Sequence, residues 1–250
     1  GVHLLIEKPI SAKSDGVESL IDICQSNNLV LMIGYNLRFQ PSLQEFRKQI
    51  LQNKVGRILS VRAEVGKFLP TWRPESDYTK SVSAQKKLGG GVLLELSHEI
   101  DYIKWIFGDY KWVKAHLSKQ SDLKIDVEDS ASIIFGIEIE GDSEIIGSLN
   151  IDFIRHDDTR MCTVIGNQGS LRWDGIKNEI GWFAKGSNEW ESIFSQTAER
   201  DLTYKKEIEN FLSAISQKEN LVTTGEDGLR IIKVIEAIHQ SHQSNSMVTL

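Results

Sequence analysis

The chain begins with a mostly apolar run that stops at a charged pair and a proline. Val2–Ile6 leads into Glu7–Pro9, and a second apolar run lies at Leu29–Tyr35. Continuous apolar runs of this length are typical of strands buried on both faces of a parallel sheet. Apolar residues recur at helical spacing between them, which predicts a helix over 12–27 capped by Ser11. The start of the chain is therefore expected to be a strand–helix–strand unit.

The pattern of apolar and polar residues changes after residue 40. Residues 41–53 are amphipathic at helical spacing, and alternation with a period of two then dominates, as in Leu59–Gly66. Alternation of this kind is typical of half-buried strands in an antiparallel sheet. We predict seven strands, at Ile58–Phe68, Trp112–Leu117, Ser130–Glu138, Glu144–Phe153, Thr159–Ile165, Ser170–Trp173 and Glu179–Ala184. One long apolar helix is predicted over about 92–107.

Two further helices are predicted at the end of the chain. The first has Tyr204, Ile208, Phe211, Leu212 and Ile215 on one face, and the second starts near Thr224. The fold class is therefore α/β plus α+β: the last part of a parallel α/β domain over residues 1–38, followed over 39–250 by a large, mostly antiparallel sheet flanked by helices. A sheet cannot consist of one buried strand, so earlier strands are expected to be missing before residue 1.

Composition excludes several classes of function. The 250 residues are 40% hydrophobic and 26% charged with a net charge of −6, which is ordinary for a globular protein and lacks the basic footprint of a nucleic-acid partner. No apolar stretch is long enough to span a bilayer. Cys24 and Cys162 belong to no C-x-x-C motif, so no metal site is expected. Two buried, reduced thiols in a cytoplasmic protein are the expected outcome.

Three glycines precede the most informative segment of the chain. Gly89–Gly91 allow the backbone to turn tightly and to lie close to a ligand or another chain. Glu95, His98 and Asp101 follow at intervals of three residues, which places neighbouring members on one side of a buried helix. A buried imidazole flanked by carboxylates is typical of an acid/base group, and Glu95 or Asp101 is expected to orient the imidazole. A hydrogen-bonded core histidine is the alternative interpretation.

Lys8 is the second candidate for chemistry. An amine at the carboxyl end of a parallel strand is placed near the crevice in which open α/β sheets bind ligands. Burial there lowers the pKa of a lysine from about 10.4 towards neutrality, so that it exchanges protons at physiological pH. The alternative is a surface lysine at a strand end.

Four stretches of the chain form an ordered set of motifs. They are Glu7-Lys8-Pro9; Gly34–Phe39 followed by Pro41; Gly89–Gly91 leading to His98, Asp101 and Gly108; and Ile165–Leu171. This set resembles the Gfo/Idh/MocA oxidoreductases, two-domain NAD(P)-dependent enzymes that act mainly on sugars, sugar nucleotides and cyclitols. The resemblance covers nearly the whole chain.

The resemblance implies a role for each matching residue. Lys8 would contact substrate and nicotinamide, and His98 would donate or accept the proton at the reacting hydroxyl or carbonyl. The residues implied to border the NAD or NADP cofactor are Glu7, Lys8, Pro9 and Asn36. The residues implied to bind substrate include Arg38, His98 and Asp101. The resemblance also implies a cis peptide bond before Pro9.

The chain departs from the family pattern in two places. The family commonly has an aspartate four residues before the histidine, where this chain has Leu94; Glu95 is expected to take that part as a third catalytic residue. No G-x-G-x-x-G follows a strand, and Gly166 and Gly169 join two strands. Most of the N-terminal Rossmann domain is therefore expected to be missing, and the chain alone is expected to bind a nicotinamide cofactor poorly.

Residues 67–88 are the expected specificity segment. The segment is long and rich in hydrogen-bonding groups, and loops of this length inside a compact domain tend to be functional. Trp72 is predicted to stack on a sugar, and Arg73, Tyr78 or Lys80 to bind hydroxyls or a phosphate. An interface loop or a mobile surface segment is an equal alternative. The cluster Arg155, His156 and Arg160 is interpreted as a solvated bend.

The expected function is hydride transfer between NAD(P) and a hydroxyl or keto carbon of a sugar, sugar nucleotide or cyclitol. Two alternatives stay open: an NAD-assisted glycoside hydrolase of the same fold, and a non-catalytic sugar-binding or oligomerisation fragment. Apolar residues on both faces of the strands Ile133–Ile137 and Ile145–Ile151 predict a homo-oligomer through the large sheet.

Overall fold

The first 38 residues contain a small parallel unit. The computed structural model describes residues 1–138, 144–197, 199 and 201–250. Strand β1 (Leu4–Glu7) pairs in parallel with β2 (Leu31–Gly34), in the register Leu4 to Leu31, and helix α1 (Val17–Ser26) connects them. The predicted strand–helix–strand unit is confirmed. Its assignment to a truncated Rossmann domain stays a prediction.

Helix α1 begins later than the sequence pattern predicted. Its N-cap is Gly16, whose φ of 77° lies in the left-handed region that favours glycine. Ser11 does not cap this helix; its hydroxyl accepts a 3.3 Å hydrogen bond from the Lys13 amide instead. The prediction of a Ser11 cap was therefore wrong, because a local turn uses that hydroxyl six residues before the helix starts at Val17.

A nine-stranded sheet is the largest element of the chain after residue 40. Its strands are β3 (Ile58–Gly66), β4 (Tyr110–Ser118), β5 (Ser130–Ile137), β6 (Ile145–Asp152), β7 (Thr159–Gly166), β8 (Gly169–Asp174), β9 (Glu179–Ala184), β10 (Glu191–Ser195) and β11 (Val248–Thr249). The order is β10-β9-β8-β7-β3-β6-β5-β4-β11, with β3 and β6 parallel and the other neighbours antiparallel. All seven predicted strands are confirmed. The short strands β10 and β11 were missed.

Five helices accompany the large sheet in the described residues: α2 (Pro41–Leu51), α3 (Val92–Glu95), α4 (His98–Phe107), α5 (Leu202–Ile215) and α6 (Gly225–Ser244). The start of α6 follows the sequence signal, because Thr224 and Asp227 form a capping box. Within the part of the chain that the structure describes, no helix has the length and apolar content that a bilayer crossing requires.

The helix predicted over 92–107 is interrupted. Helix α3 ends at Glu95, and α4 begins at His98 after Leu96 and Ser97. The amide of Glu99 donates to the carbonyl of Leu96 rather than to that of Glu95. The Glu95 carbonyl is therefore left available to a partner outside the helix.

The large sheet has a covered face and an uncovered face. Trp173 of β8 lies on the covered face, where its indole donates a 2.9 Å hydrogen bond to Ser42 of α2 and its ring meets Tyr102 of α4 edge-on. On the opposite face Ile134 is 50% exposed and Ile146 is 53% exposed. The helices thus bury one face, while large apolar side chains remain on the other.

Helix α5 (Leu202–Ile215) does not bury its apolar face completely. The predicted apolar face is largely outward, since Tyr204, Ile208 and Leu212 are each half exposed. The buried residues of this helix are instead Glu207 and Asn210. Helical spacing identified the residues that share a face, whereas tertiary contacts decided which face is buried.

Candidate active site

Lys8 lies where the two parts of the molecule meet. It follows the last residue of β1 and precedes Pro9 through a cis peptide bond. Its ammonium donates a 2.6 Å hydrogen bond to the backbone carbonyl of Glu95, the carbonyl left available at the end of α3. Burial lowers the pKa of Lys8, and the nearby carboxylates of Glu95, Glu99 and Glu7 oppose that effect. Lys8 is thus a half-buried amine held against the His98 segment.

His98 is the first residue of α4. Its ring meets Tyr35 edge-on at 5.7 Å between centroids. Burial lowers the pKa of His98 well below 6.5, and the positive charges of Lys8 and Arg160 lower it further. The imidazole is therefore neutral at pH 7 and able to accept a proton.

The imidazole is not oriented as the sequence predicted. Its buried Nδ1 atom has no hydrogen-bond partner among the described residues, so neither Glu95 nor Asp101 holds it. The prediction that one of these acids orients the ring is not supported. Packing against Tyr35 and the start of α4 fix its position instead.

A cleft of about 630 Å³ brings most of the predicted site residues together. Those that line it are Glu7, Lys8, Asn36, Trp72, Arg73, Glu95 and His98. Pro9, Arg38, Tyr78 and Asp101 do not line it. A larger cleft of about 990 Å³ lies beside Ala12 and α6, but neither Lys8 nor His98 faces it. The smaller cleft is the candidate active site, because both titratable candidates face it.

Arg38 and Asp101 belong to the scaffold behind the cleft. Their side chains are 4% and 1% exposed and form a two-point ion pair with distances of 2.6 and 3.0 Å. The remaining donors of Arg38 bind Asp227 and the Val222 carbonyl. Because every nitrogen of the Arg38 guanidinium and both oxygens of the Asp101 carboxylate are already hydrogen-bonded within the protein, the structure does not support direct substrate contact by these two residues. They join the 36–39 turn, α4 and the start of α6.

The segment 67–88 contributes one end of the cleft. It contains four short 3₁₀ turns rather than an unstructured loop. The indole of Trp72 donates a 3.0 Å hydrogen bond to the Lys67 carbonyl and packs edge-on against Phe153. Tyr78 lies outside the cleft, where its hydroxyl accepts a 3.2 Å hydrogen bond from the Lys124 amide. Its predicted role in substrate binding is therefore not supported.

Gly90 and Gly91 are required by close contacts within the chain. A Cβ on Gly90 would lie 2.2 Å from the Val82 carbonyl oxygen. Gly91 has a φ of 113°, and a Cβ there would lie 2.4 Å from a carboxylate oxygen of Glu128. The close approach is thus to other segments of the same chain, rather than to a ligand or another chain as the sequence predicted, and it fixes the position of α3.

Sequence reasoning missed one charged pair in the cleft. Arg160 of β7 lines the cleft, and its Nε donates a 2.7 Å hydrogen bond to a carboxylate oxygen of Glu99, which is fully buried. The interpretation of Arg160 as part of a solvated bend was wrong. Arg155 instead pairs with Glu64, and His156 packs on Phe68. The sequence signal that could have revealed this pair is Glu99, the acid directly after His98.

Comparison with known proteins identifies the family to which this chain belongs. The site joins a lysine from a βαβ unit to a histidine from a helix over a large mixed sheet, which defines an α/β protein with a titratable cleft between its two parts. Residues 47–250 match the model of the oxidoreductase family's C-terminal alpha/beta domain, GFO_IDH_MocA_C. The chain belongs to the Gfo/Idh/MocA oxidoreductase family.

Several curated relatives are dehydrogenases. Levoglucosan dehydrogenase of Pseudarthrobacter phenanthrenivorans is 31% identical over 120 residues, which is 47% of this chain and 30% of that protein. D-xylose 1-dehydrogenase (NADP(+)) 2 of Haloferax volcanii is 22% identical across the whole chain and 74% of its own length. The match to the first of these relatives thus spans less than a third of its length.

Solved structures show the same fold. A levoglucosan dehydrogenase in complex with NADH matches with a TM-score of 0.86 at 21% identity, over 99% of this chain and 73% of that one. The WlbA dehydrogenase of Bordetella pertussis, in complex with NADH and UDP-GlcNAcA, matches with a TM-score of 0.80 at 21% identity, over 100% and 72%. At this identity the likeness shows the fold alone.

Proposed function

We propose that this chain carries the substrate site of an oxidoreductase that transfers a hydride between NAD(P) and a hydroxyl or keto carbon of a sugar or cyclitol. The observation that carries the proposal is the meeting of Lys8 and His98 at one cleft. Lys8 comes from the βαβ unit and His98 from the helix over the large sheet. Such a cleft between two units suits a reaction between two bound molecules.

His98 and Lys8 have different roles when the substrate hydroxyl loses its proton. In the direction of oxidation, the neutral imidazole of His98 accepts the proton of the reacting hydroxyl. The ammonium of Lys8 donates a hydrogen bond to the same oxygen and stabilises the negative charge that develops there. Glu95 contributes through its backbone carbonyl, which holds Lys8 in place. Its carboxylate lines the cleft within electrostatic reach of Lys8.

The residues beside Lys8 fit a nicotinamide. Bound there, NAD or NADP supplies the hydride chemistry that side chains lack. Glu7 and Asn36 line the cleft next to Lys8, and the Asn36 amide nitrogen donates to Thr203, which leaves its carbonyl oxygen as an acceptor. An ammonium, an amide oxygen and a carboxylate are suitable partners for a carboxamide and ribose hydroxyls. The complex of a levoglucosan dehydrogenase of the same fold with NADH supports a nicotinamide cofactor for this protein.

We further propose that the uncovered sheet face forms a homo-oligomer. Ile134 and Ile146 lie on this face, and exposed apolar groups on a broad sheet are typical of an interface. Cys24 and Cys162 are free and buried, which favours a reducing cytoplasm.

The function is tested with the purified protein. We expect absorbance of reduced cofactor at 340 nm to rise when NAD or NADP is mixed with a panel of sugars and cyclitols that includes levoglucosan, D-xylose and scyllo-inositol. Hydrolysis of a glycoside without net cofactor reduction would favour the hydrolase instead. No chemistry with any of these compounds, despite cofactor binding, would contradict the proposal.

A further inference from the structure

The helix turn that carries His98 is fixed by two buried ion pairs, whose acids both lie in the first turn of α4. Glu99 is fully buried and accepts a 2.7 Å hydrogen bond from Nε of Arg160 in β7. Asp101 is also buried and is held by Arg38. The Nδ1 atom of His98 has no hydrogen-bond partner among the described residues. The position of the imidazole therefore depends on where these pairs hold the first turn of α4.

One of the two pairs reaches the cleft. Arg160 lines the cleft together with His98, whereas the Arg38–Asp101 pair does not. The backbone carbonyl of Arg160 accepts a 2.8 Å hydrogen bond from the amide of Gly175. A Cβ on Gly175 would lie 2.9 Å from Cγ of Arg160, so the backbone passes close against this side chain. The ion pair and the packing of Gly175 thus hold Arg160 beside His98.

The carboxylate of Glu99 depends on Arg160 for its charge. Its second oxygen, Oε2, is buried and has no hydrogen-bond partner in the part of the chain that the structure describes. Burial raises the pKa of Glu99, and the charge and hydrogen bond of Arg160 oppose that rise. Because a buried carboxylate without a partner takes up a proton, Glu99 stays charged only while Arg160 is present.

The imidazole of His98 lies among several charged groups. Besides burial, the cations Lys8 and Arg160 lower the pKa of His98. His98 is also the first residue of α4, where the positive end of the helix dipole disfavours an imidazolium. Tyr35 packs on the ring and is uncharged, because burial raises its pKa. The other titratable groups that line the cleft are Glu7, Lys67, Arg73, Glu95, Asp158 and Tyr204.

We infer that Arg160 and Glu99 are a positioning pair for His98: the pair fastens the first turn of α4 to β7, and its guanidinium disfavours a second positive charge on the imidazole. The inference rests on the proposed function and adds two positioning residues to it. In the direction of oxidation the base must be neutral and aimed at the substrate hydroxyl, and the pair serves both requirements. Both residues act through His98, so neither has to contact the reacting atoms.

The experiment follows His98 directly in the purified protein. NMR of protein labelled in its six histidines gives the titration of each ring, and the signal that is lost in His98→Asn identifies His98. The pH profile of kcat/KM is recorded with whichever sugar or cyclitol is turned over. Thermal melting shows that each variant folds. The NMR titration needs no turnover, so it tests the pair independently of the reaction.

Replacing Arg160 removes both the charge and the link to α4. We expect Arg160→Met to lower kcat about 100-fold with a smaller change in KM, because a displacement of about 1 Å can cost that much. His98 should titrate at higher pH, and the acid limb of kcat/KM should move up with it, because oxidation requires the neutral imidazole. Arg160→Lys keeps the charge, so its acid limb should stay at the wild-type position while kcat lies between the other two.

Replacing Glu99 should shift the same titration in the opposite direction. Glu99→Gln removes the negative charge that opposes Arg160 but keeps an acceptor for its Nε, so His98 should titrate at lower pH. The matched control is Arg38→Met/Asp101→Leu, which removes the other ion pair of the same helix turn, away from the cleft. This control should leave the titration of His98 unchanged, whatever its effect on the melting temperature.

The outcomes separate the inference from the proposed function. An unchanged His98 titration in folded Arg160→Met would overturn the inference, and so would shifts in the same direction in Arg160→Met and Glu99→Gln. An equal shift in the Arg38→Met/Asp101→Leu control would also overturn it. These results leave the proposed function standing, because turnover is scored separately. Opposite NMR shifts in a protein that turns over none of the sugars or cyclitols would support the pair and contradict the proposed function.

Discussion

The ammonium nitrogen of Lys8 donates a 2.6 Å hydrogen bond to the backbone carbonyl of Glu95, 87 residues later in the chain. The contact exists because α3 ends at Glu95 and leaves that carbonyl without a helical partner. The interruption of one helix thus fastens the βαβ unit to the segment that carries His98.

Replacing Lys8 tests its role as a cation. Lys8→Met is expected to lower kcat/KM about 100- to 10,000-fold, because the developing charge on the substrate oxygen loses its donor. Burial lowers the pKa of Lys8, so wild-type activity falls on the alkaline side before the ordinary lysine value of 10.5 is reached. An arginine at this position stays protonated, so the activity of Lys8→Arg should not show this fall at alkaline pH. An identical alkaline limb in Lys8→Arg would show that another group titrates.

Replacing His98 tests the acid/base assignment. His98→Asn should reduce turnover by a similar factor of about 100 to 10,000. The pKa of His98 lies well below 6.5, and the neutral form is the one that accepts a proton. Wild-type oxidation should therefore hold constant as pH falls to 6.5 and decline only below it. Near-normal turnover of folded His98→Asn would mean that His98 is a core residue.

The Arg38–Asp101 pair is expected to stabilise the fold. Arg38→Met leaves Asp101 buried without a partner, which typically costs about 3–5 kcal/mol of unfolding free energy. The double variant Arg38→Met/Asp101→Leu should recover part of this loss, since neither charge remains. Urea unfolding measures each value. The exposed Lys48–Glu45 pair is the control, and Lys48→Met should change stability by less than about 1 kcal/mol.

Glu207 should make stability depend on pH. Burial, together with the charge of Glu7, raises its pKa from 4.5 to about 7. The folded state therefore binds the proton more tightly, so stability is full below about 4.5 and is lost as pH rises through about 7. Glu207→Gln should remove this loss, worth a few kcal/mol at roughly 1.4 kcal/mol per pKa unit. Unfolding at pH 5 and pH 8 measures it, with the exposed neighbour Glu209→Gln as control; equal pH dependence in both variants would refute the prediction.

The uncovered sheet face should support self-association. We expect light scattering at tens of micromolar, roughly where interfaces of standard size are occupied, to show a dimer or larger species. Ile134→Lys combined with Ile146→Lys should shift it to the monomer, because charges would be buried in the interface. Ile23→Lys, at an equally exposed isoleucine of α1, is the matched control. A monomeric wild type would disprove the sheet interface.

Local sequence signals determined most of the secondary structure. Alternation of apolar residues identified seven strands of the large sheet, because burial on one face imposes a period of two. The capping box at Thr224 placed the start of α6, since its hydrogen bonds join residues three apart. The motifs around Lys8 and His98 pointed to the cleft in which both now lie.

Only the tertiary structure decided which groups meet. Helical spacing could not show that α3 stops at Glu95, because the partner of that carbonyl is Lys8 from a distant strand. Nor could it show that Arg38 and Asp101 neutralise each other in the scaffold while Arg160 reaches the cleft beside Glu99. Short-range patterns report periodicity and caps, whereas ion pairing and burial depend on residues that only the folded chain brings together.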